Sequence, residues 1–270
     1  MKTNDLNSSN SFVNTLRSDL YKLGKMKSVY IAAAIMFGLI LITFVSVVAL
    51  ARLSDTDSQA DVLSLFGSSI LFGFAKSANI ELLVTIIIGI FIGKDFANGT
   101  VRLTVARGGN RLQIYFSKLI SITVLILGYM IGSLLICGIL TAIIGYSEPF
   151  TSLIFARLMR TFGLTFVALF ASASIYLMVA FLTRTPGAAL GASIGIYILL
   201  SIVISIIVVI LESRGFNDAA MYFPLQQLSY SVSDQPMTVA DAMKLLFMPI
   251  AYALVANFVG IFTFLKRDIK

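Results

Sequence analysis

The sequence contains no histidine, no tryptophan, one cysteine and few charged residues. Without histidine the chain lacks the commonest metal ligand and the commonest general base, which excludes a histidine-based metal or catalytic site. The single cysteine, Cys137, excludes a disulfide within the chain and lies in an apolar run, as a small core residue does. Charged residues are 12% of the chain, about half the share of soluble domains.

Apolar residues make up 58% of the 270 residues, and the mean hydropathy is +0.95. So much apolar surface indicates lipid as the solvent. A bilayer core is crossed by about 20 helical residues. The predicted fold class is therefore all-α, a polytopic integral membrane protein forming one domain over residues 1–270, with six transmembrane helices in the runs Val29–Leu50, about Leu71–Gly93, Leu119–Ile144, about Thr161–Thr183, Ala188–Leu211 and Leu245–Leu265.

The distribution of basic residues orients these spans. If the N-terminus is cytoplasmic, the inner segments carry 14 of the 20 Lys and Arg but only four of the 13 acidic residues. Inner loops of membrane proteins carry such an excess of Lys and Arg. We therefore expect both termini in the cytoplasm, and we read the net charge of +7 as this bias rather than as a nucleic-acid surface.

Two segments outside the spans have distinctive patterns. Residues 11–28 place apolar side chains at helical spacing with basic side chains mostly off that stripe, which predicts an interfacial helix on the inner membrane face. The alternative is a basic flank that only enforces orientation. Residues 212–244 form a long outer loop, which is either an ordinary extracellular loop or a re-entrant piece shielded by protein.

Residues 94–118 form a cytoplasmic loop that is rich in cations. Turn signals at Asn98-Gly99 and Gly108-Gly109 separate short stretches of mixed apolar and basic residues. This composition predicts a compact element that presents charge to a cytoplasmic partner.

Glycine occurs in two kinds of pattern. The stretch Gly89-x-x-x-Gly93-Lys94-Asp95 resembles a phosphate loop superficially, but its glycine spacing is one residue short and Asp95 replaces the Ser or Thr that holds magnesium. We therefore predict that this chain binds no nucleotide. Elsewhere small residues recur at four-residue spacing, which favours close helix packing within the chain or against a second subunit; these are Gly128, Gly132, Gly187, Gly191 and Gly195.

Acidic residues near the spans fall into two groups. Asp55, Asp57 and Asp61 lack the pattern of a calcium loop and fit a solvated outer loop. Glu81 lies about 20 Å from Lys94 along a helix, within the hydrocarbon layer. Such a carboxylate is costly, so Glu81 either lines a transport path or forms a structural ion pair; its candidate partners are Lys76, Arg157 and Arg160.

The 94–118 segment also carries a family resemblance. Asp95-Phe96-x-x-Gly99-Thr100-x-Arg102, followed by Arg111 and Lys118 at the entry to an apolar span, resembles the permeases of type-two ABC exporters, and in particular the small permeases of peptide-antibiotic export and self-immunity systems. The resemblance implies a bacterial cytoplasmic membrane protein. The long outer loop would then carry the short re-entrant helices that close the pathway.

The same resemblance implies partners and roles. Two permease subunits, identical or related, work with two copies of a cytoplasmic ABC ATPase, and ATP and Mg bind to that ATPase, so this chain needs no cofactor and is not an enzyme. The 94–118 loop would contain the coupling helix seated in a groove of the ATPase. By position, Asp95, Gly99, Thr100, Arg102 and Arg111 belong to that coupling region, with Asp95 in an exposed ion pair or helix cap worth about 0–1 kcal/mol.

Three other functions remain open. The first is a sensor or immunity subunit that couples to an ATPase without bulk transport. The second is an ion-coupled secondary transporter, for which Glu81 is the intramembrane acid. The third is an intramembrane enzyme, for which the sequence supplies little catalytic equipment.

Overall fold

The computed structural model of the protein describes residues 3–53, 71–74, 78–106, 108–144, 152–183, 185–216, 219–224, 226–227 and 238–266. None of these residues lies in a strand, which confirms the all-α prediction. Two short 3₁₀ segments cover Phe72–Phe74 and Ala219–Tyr222. The helices are α1 (Thr3–Lys25), α2 (Lys27–Leu53), α3 (Ala78–Ala97), α4 (Thr100–Ala106), α5 (Arg111–Ile144), α6 (Ser152–Thr183), α7 (Pro186–Ser213) and α8 (Val239–Lys266).

Five helices are long and apolar enough to cross a membrane: α2, α5, α6, α7 and α8. The chain therefore has the make-up of a multi-pass membrane protein. Helix α3 begins at Ala78, later than the predicted Leu71, because Phe72–Phe74 forms a separate 3₁₀ turn. Its 20 residues reach about 30 Å, and they include Glu81, Lys94 and Asp95. The predicted loop acids Asp55, Asp57 and Asp61, together with Lys76, lie outside the described residues.

Helix α6 is the centre of the bundle. It packs against α3, α5, α7 and α8, and 72% of its most apolar stretch is buried. Helices α2 and α7 each bury only 11% of the corresponding stretch. A helix in a water-soluble protein buries its apolar face against the protein. The exposed apolar surfaces of α2 and α7 are therefore suited to contact with lipid.

Helices α3 and α7 approach each other closely through glycine. A Cβ atom on Gly93 would lie 2.5 Å from the Cα of Pro186, and one on Gly89 would lie 2.9 Å from the Cα of Leu190. The glycine pair that superficially resembles a phosphate loop is thus a helix-packing motif. By contrast, a Cβ on Gly191 would meet nothing within 4 Å, and the same holds for Gly128, Gly187 and Gly195.

Candidate functional site

A buried ion cluster joins α1, α3 and α5 at one end of the bundle. At its centre is Lys118 of α5, whose ammonium group donates to Asp95 and, at 2.6 Å from Nζ to Oδ1, to Asp19. Asp95 also accepts a hydrogen bond from Lys22 at 3.1 Å, and Asp19 accepts one from Ser117 at 2.7 Å. Two carboxylates and two ammonium groups therefore form one balanced group that spans three helices.

Burial makes this cluster costly to break. The side chains of Lys118 and Asp19 are each 4% exposed. Moving such ions out of water costs several kcal/mol each, which is offset only by close geometry and by further hydrogen bonds. The ring of Phe91 adds a cation–π contact, with its centroid 4.1 Å from Lys118 Nζ. The positions of α1, α3 and α5 are therefore coupled, since separating one partner leaves a charge buried.

Asp95 differs here from the exposed interfacial pair expected from the sequence. Its side chain is 8% exposed, and its cationic partners come from this same chain. Asp19 and Lys22 were not assigned to any site from the sequence. A signal was present, because Asp19 lies on the apolar stripe of α1, three residues after Leu16 and four before Leu23. An acidic residue on an apolar face indicates a buried partner.

Helix α4 is a short element between two glycine turns at the same end of the bundle. The φ angles of Gly99 and Gly108 are +67° and +86°, a region that side chains disfavour, so glycine allows α4 to turn off α3 and back into α5. Val101 faces the protein and is buried. Arg102 and Leu103 are exposed, and Leu103 is 57% so.

The remaining predicted coupling residues divide between α4 and its neighbours. Thr100 is half-buried at the first position of α4, and its carbonyl accepts a hydrogen bond from the Thr104 hydroxyl at 2.9 Å. The Arg111 guanidinium lies with α8 instead, and donates to the carbonyls of Phe264 at 3.3 Å and Leu265 at 3.0 Å. Cations satisfy the last carbonyls of a helix in this way. Arg111 therefore ties α5 to the end of α8.

Helix α5 begins with a side-chain cap. The Asn110 side-chain oxygen accepts a hydrogen bond from the Leu112 amide at 3.0 Å, as an N-cap residue does. This cap fixes where α5 starts after the Gly108 turn. Because the start of the helix fixes its register, the cap also determines that Lys118 lies on the side of α5 that faces α1 and α3.

Glu81 occupies a second buried site, in the first turn of α3 at the opposite end of that helix from Asp95. It is 3% exposed, and its carboxyl group accepts a hydrogen bond from the Tyr176 hydroxyl at 3.1 Å. The Ser172 side chain makes a second hydrogen bond to it. Tyr197 of α7 packs against Tyr176, with ring centroids 6.2 Å apart. Hydroxyl groups of α6 thus surround this carboxyl group.

Among the described residues, no ion pair joins Glu81 to the arginines expected as its partners, Arg157 and Arg160. Lys76 is outside the described residues, and the guanidinium of Arg157 lies 4.3 Å from the ring centroid of Phe72. The placement of Glu81 on a transport path stays a prediction. Its hydroxyl partners lie 91 and 95 positions away in sequence, a separation at which spacing patterns carry no signal.

A third polar group, also missed by the sequence reasoning, connects α5, α6 and α8. The Tyr115 hydroxyl donates to the side-chain oxygen of Asn257 at 3.0 Å, and the Asn257 amide group donates to Ser174 at 3.1 Å. Because Ser172, Ser174 and Tyr176 all belong to α6, the central helix serves both this network and the Glu81 site. Polar side chains bridge helices in this way within apolar bundles.

Comparison with known proteins gives one family. Residues 30–270 match the model of a family described as "Protein of unknown function (DUF2705)". The match covers helices α2 to α8 and begins after α1. No curated protein matches the chain.

Proposed function

The chain belongs to this DUF2705 family, and we propose that it is the membrane-spanning permease subunit of an ATP-driven ABC exporter. It would form the translocation path for an amphipathic peptide, antibiotic or lipid-like substrate. A separate cytoplasmic ABC ATPase, in two copies, would bind ATP and Mg, and a second permease subunit, the same chain or a related one, would complete the path.

Helix α4 is the observation that carries this proposal. It joins two long helices at one end of the bundle, it is bounded by glycine turns, and it exposes Arg102 next to Leu103. Arginine is enriched at protein interfaces, so Arg102 can pair with a carboxylate of a partner while Leu103 adds apolar contact area. When a cytoplasmic partner displaces a short helix of this kind, the displacement is transmitted to both α3 and α5.

The proposed topology has six spans, with α3 as the sixth. The end of the bundle that holds Lys22, Lys94, Arg111 and Lys118, hereafter the basic end, lies in the cytoplasm under the rule that inner segments carry Lys and Arg. Alternation along the six spans then places both termini there. We assign the protein to the cytoplasmic membrane of a bacterium, with α1 along its inner face.

The ion cluster supplies the mechanical link in this proposal. A displacement of α4 moves the ends of α3 and α5, and the contacts of Lys118 with Asp19 and Asp95 carry that displacement to α1. The driving energy is the higher affinity of ATP for one state of the partner ATPase, because a ligand shifts an equilibrium only by its difference in affinity between states.

Co-purification of an ATPase with the tagged chain from its native membrane tests the proposal. Arg102→Glu with Leu103→Asp alters the exposed face of α4 while leaving the buried Val101 in place. Arg214→Glu with Phe216→Asp is a matched control at two exposed positions beyond the far end of α7. Asp95 and Arg111 are poor choices for this test, since both make internal contacts.

We expect the wild type and the control pair to retain an ABC ATPase, and the α4 pair to lose at least about tenfold of it, which is about 1.4 kcal/mol of interface energy. A well-folded wild-type protein that retains no such ATPase would contradict the proposal. Equal loss in both pairs would place the contact elsewhere than α4.

An ion-coupled transporter is the second candidate function, and the Glu81 site favours it. A buried carboxyl group among hydroxyls is typical of groups that bind and release a cation or proton inside transporters. The discriminating measurement is substrate uptake by reconstituted vesicles under an imposed proton or sodium gradient, without ATPase. Uptake that follows the gradient and disappears in Glu81→Gln would favour this candidate over the exporter.

A further inference from the structure

A cleft of about 370 Å³ opens at the basic end between α1 and the end of α3. Its volume is within the range of about 300–1,000 Å³ that holds small ligands. Three lysines line it, Lys22 and Lys25 from α1 and Lys94 from α3, together with the polar side chains of Asn98 and Thr100. The cleft is therefore a concentration of hydrogen-bond donors and positive charge.

The charges of this cleft do not cancel. Lys22 and Lys118 balance Asp95 and Asp19 in the buried ion cluster, so the carboxylate on the wall of the cleft is already neutralised. Within the described part of the chain, Lys25 and Lys94 form no ion pair, and both are exposed. The cleft thus presents two uncompensated cations, which favours a ligand of opposite charge.

Apolar side chains complete the walls. Tyr21 of α1 and Met26, which directly follows α1, line the same cleft beside the lysines, and Phe91 of α3, 2% exposed, forms its floor. A ligand that carries both a negative group and a hydrocarbon part fits such a wall better than a free anion does. Lys94 follows directly on the apolar run of α3, so the lysines lie where lipid headgroups meet hydrocarbon.

We propose that this cleft binds the phosphate headgroup of an anionic phospholipid, with Lys25 and Lys94 as the principal cations, Asn98 and Thr100 as additional donors and an acyl chain along Tyr21 and Met26. The bound lipid would bridge α1 and α3 beside the ion cluster. This inference requires only that the basic end faces an anionic leaflet. It does not rest on an ATPase partner, so the two proposals can fail separately.

Native mass spectrometry of the full chain, released from micelles with added phosphatidylglycerol or phosphatidylcholine, tests the site. The test variant is Lys25→Gln with Lys94→Gln. The control pair, Lys27→Gln with Lys266→Gln, removes the same charge from two exposed positions at the same end of the bundle that do not line the cleft. A third pair, Lys25→Arg with Lys94→Arg, keeps the charge.

We expect wild type to retain phosphatidylglycerol in preference to phosphatidylcholine. The Gln pair in the cleft should weaken that retention by on the order of tenfold, since only the cleft lysines would contact the phosphate of the bound headgroup directly. The control pair and the Arg pair should stay within about twofold of wild type. Equal loss in both Gln pairs would overturn the site in favour of diffuse surface attraction.

Two further measurements separate lipid binding from binding of a free anion and provide a test if the Gln variant does not fold. If inorganic phosphate at millimolar concentration binds to the wild type while phosphatidylglycerol does not, the ligand is a free anion and the lipid proposal fails. If the Gln pair does not fold, photoreactive phosphatidylglycerol is attached to wild type instead, and the labelled peptides are identified. Labelling at Tyr21 or Met26 supports the cleft, and labelling confined to other peptides overturns it.

Discussion

Helix α3 carries a buried acid near each end, and the two are treated differently by the fold. Asp95 at the basic end meets ammonium groups from α1 and α5, whereas Glu81 near the other end meets hydroxyl groups from α6. The two residues are 14 positions apart, about 21 Å along the helix. One helix therefore holds one acid in a network of charges and the other in a network of neutral donors.

The two environments have different mechanical consequences: the charge network holds its helices in place, whereas the hydroxyl network tolerates a change at the carboxyl group. Charges that pair across three helices penalise any rearrangement that parts them, because a buried ion is left behind. Hydroxyl donors rotate and can serve either protonation state of a carboxyl group. The basic end of α3 is therefore the fixed end, reinforced by the Gly89 and Gly93 crossing with α7, and the Glu81 end is the adaptable one.

The largest expected effect comes from breaking the fixed end. Lys118→Met removes the centre of the cluster and leaves Asp19 with Ser117 as its described partner. We expect a loss of about 3–5 kcal/mol in the free energy of unfolding, measured by SDS titration in mixed micelles.

A compensated variant sharpens that result. Asp19→Asn, Asp95→Asn and Lys118→Met together leave Lys22 as the only charge of the cluster, and it is half-buried rather than enclosed. Replacing a buried ion pair in full is often nearly neutral, so the triple variant should recover most of the loss. A triple variant as unstable as Lys118→Met would contradict the account of the cluster.

The next largest effect concerns the glycine crossing. Gly93→Ala adds a Cβ 2.5 Å from the Cα of Pro186, and overpacking of this kind costs about 1–3 kcal/mol. Gly191→Ala is the matched control on the facing helix, where the added Cβ meets nothing within 4 Å. There alanine should be neutral or stabilise by up to about 1 kcal/mol through helix propensity. Two equal losses would show that the crossing is not where α3 and α7 are closest.

The smallest effect on stability is expected at the adaptable end. Glu81→Gln keeps the size of the side chain and an oxygen that accepts from Tyr176, so the free energy of unfolding should change by less than about 1 kcal/mol. If Glu81 lies on the path, the same variant loses substrate transport while it folds normally. If Glu81→Gln destabilised the protein as much as Lys118→Met, the two ends of α3 would not differ in how they respond to loss of a charge.

The sequence predicted the fold class because apolar runs of membrane length need no long-range information. Five of the six predicted spans coincide with helices that are long and apolar enough to cross a membrane. The second predicted span was given from about Leu71, whereas α3 begins at Ala78, because composition alone does not reveal that Phe72–Phe74 forms its own turn.

The site was predicted less completely. The Asn98-Gly99 dipeptide predicted a turn at Gly99, and the cationic composition of the loop predicted exposed charge such as that of Arg102, since both depend on local sequence. The pairing of Asp95 with Lys22, 73 positions away, depends on how three helices assemble, which no local pattern encodes. Asp19 on an apolar stripe was the visible clue, and it marks the face of α1 that packs on the bundle.

Site-specific photo-crosslinking from position 103 would show directly whether α4 contacts an ABC ATPase. A photoreactive amino acid in place of Leu103 samples the exposed face of α4 in the native membrane, and one in place of Phe216 is the control beyond the far end of α7. The account predicts that position 103 captures an ABC ATPase and that position 216 does not. Capture of lipid alone at position 103, in a correctly inserted protein, would contradict the permease assignment.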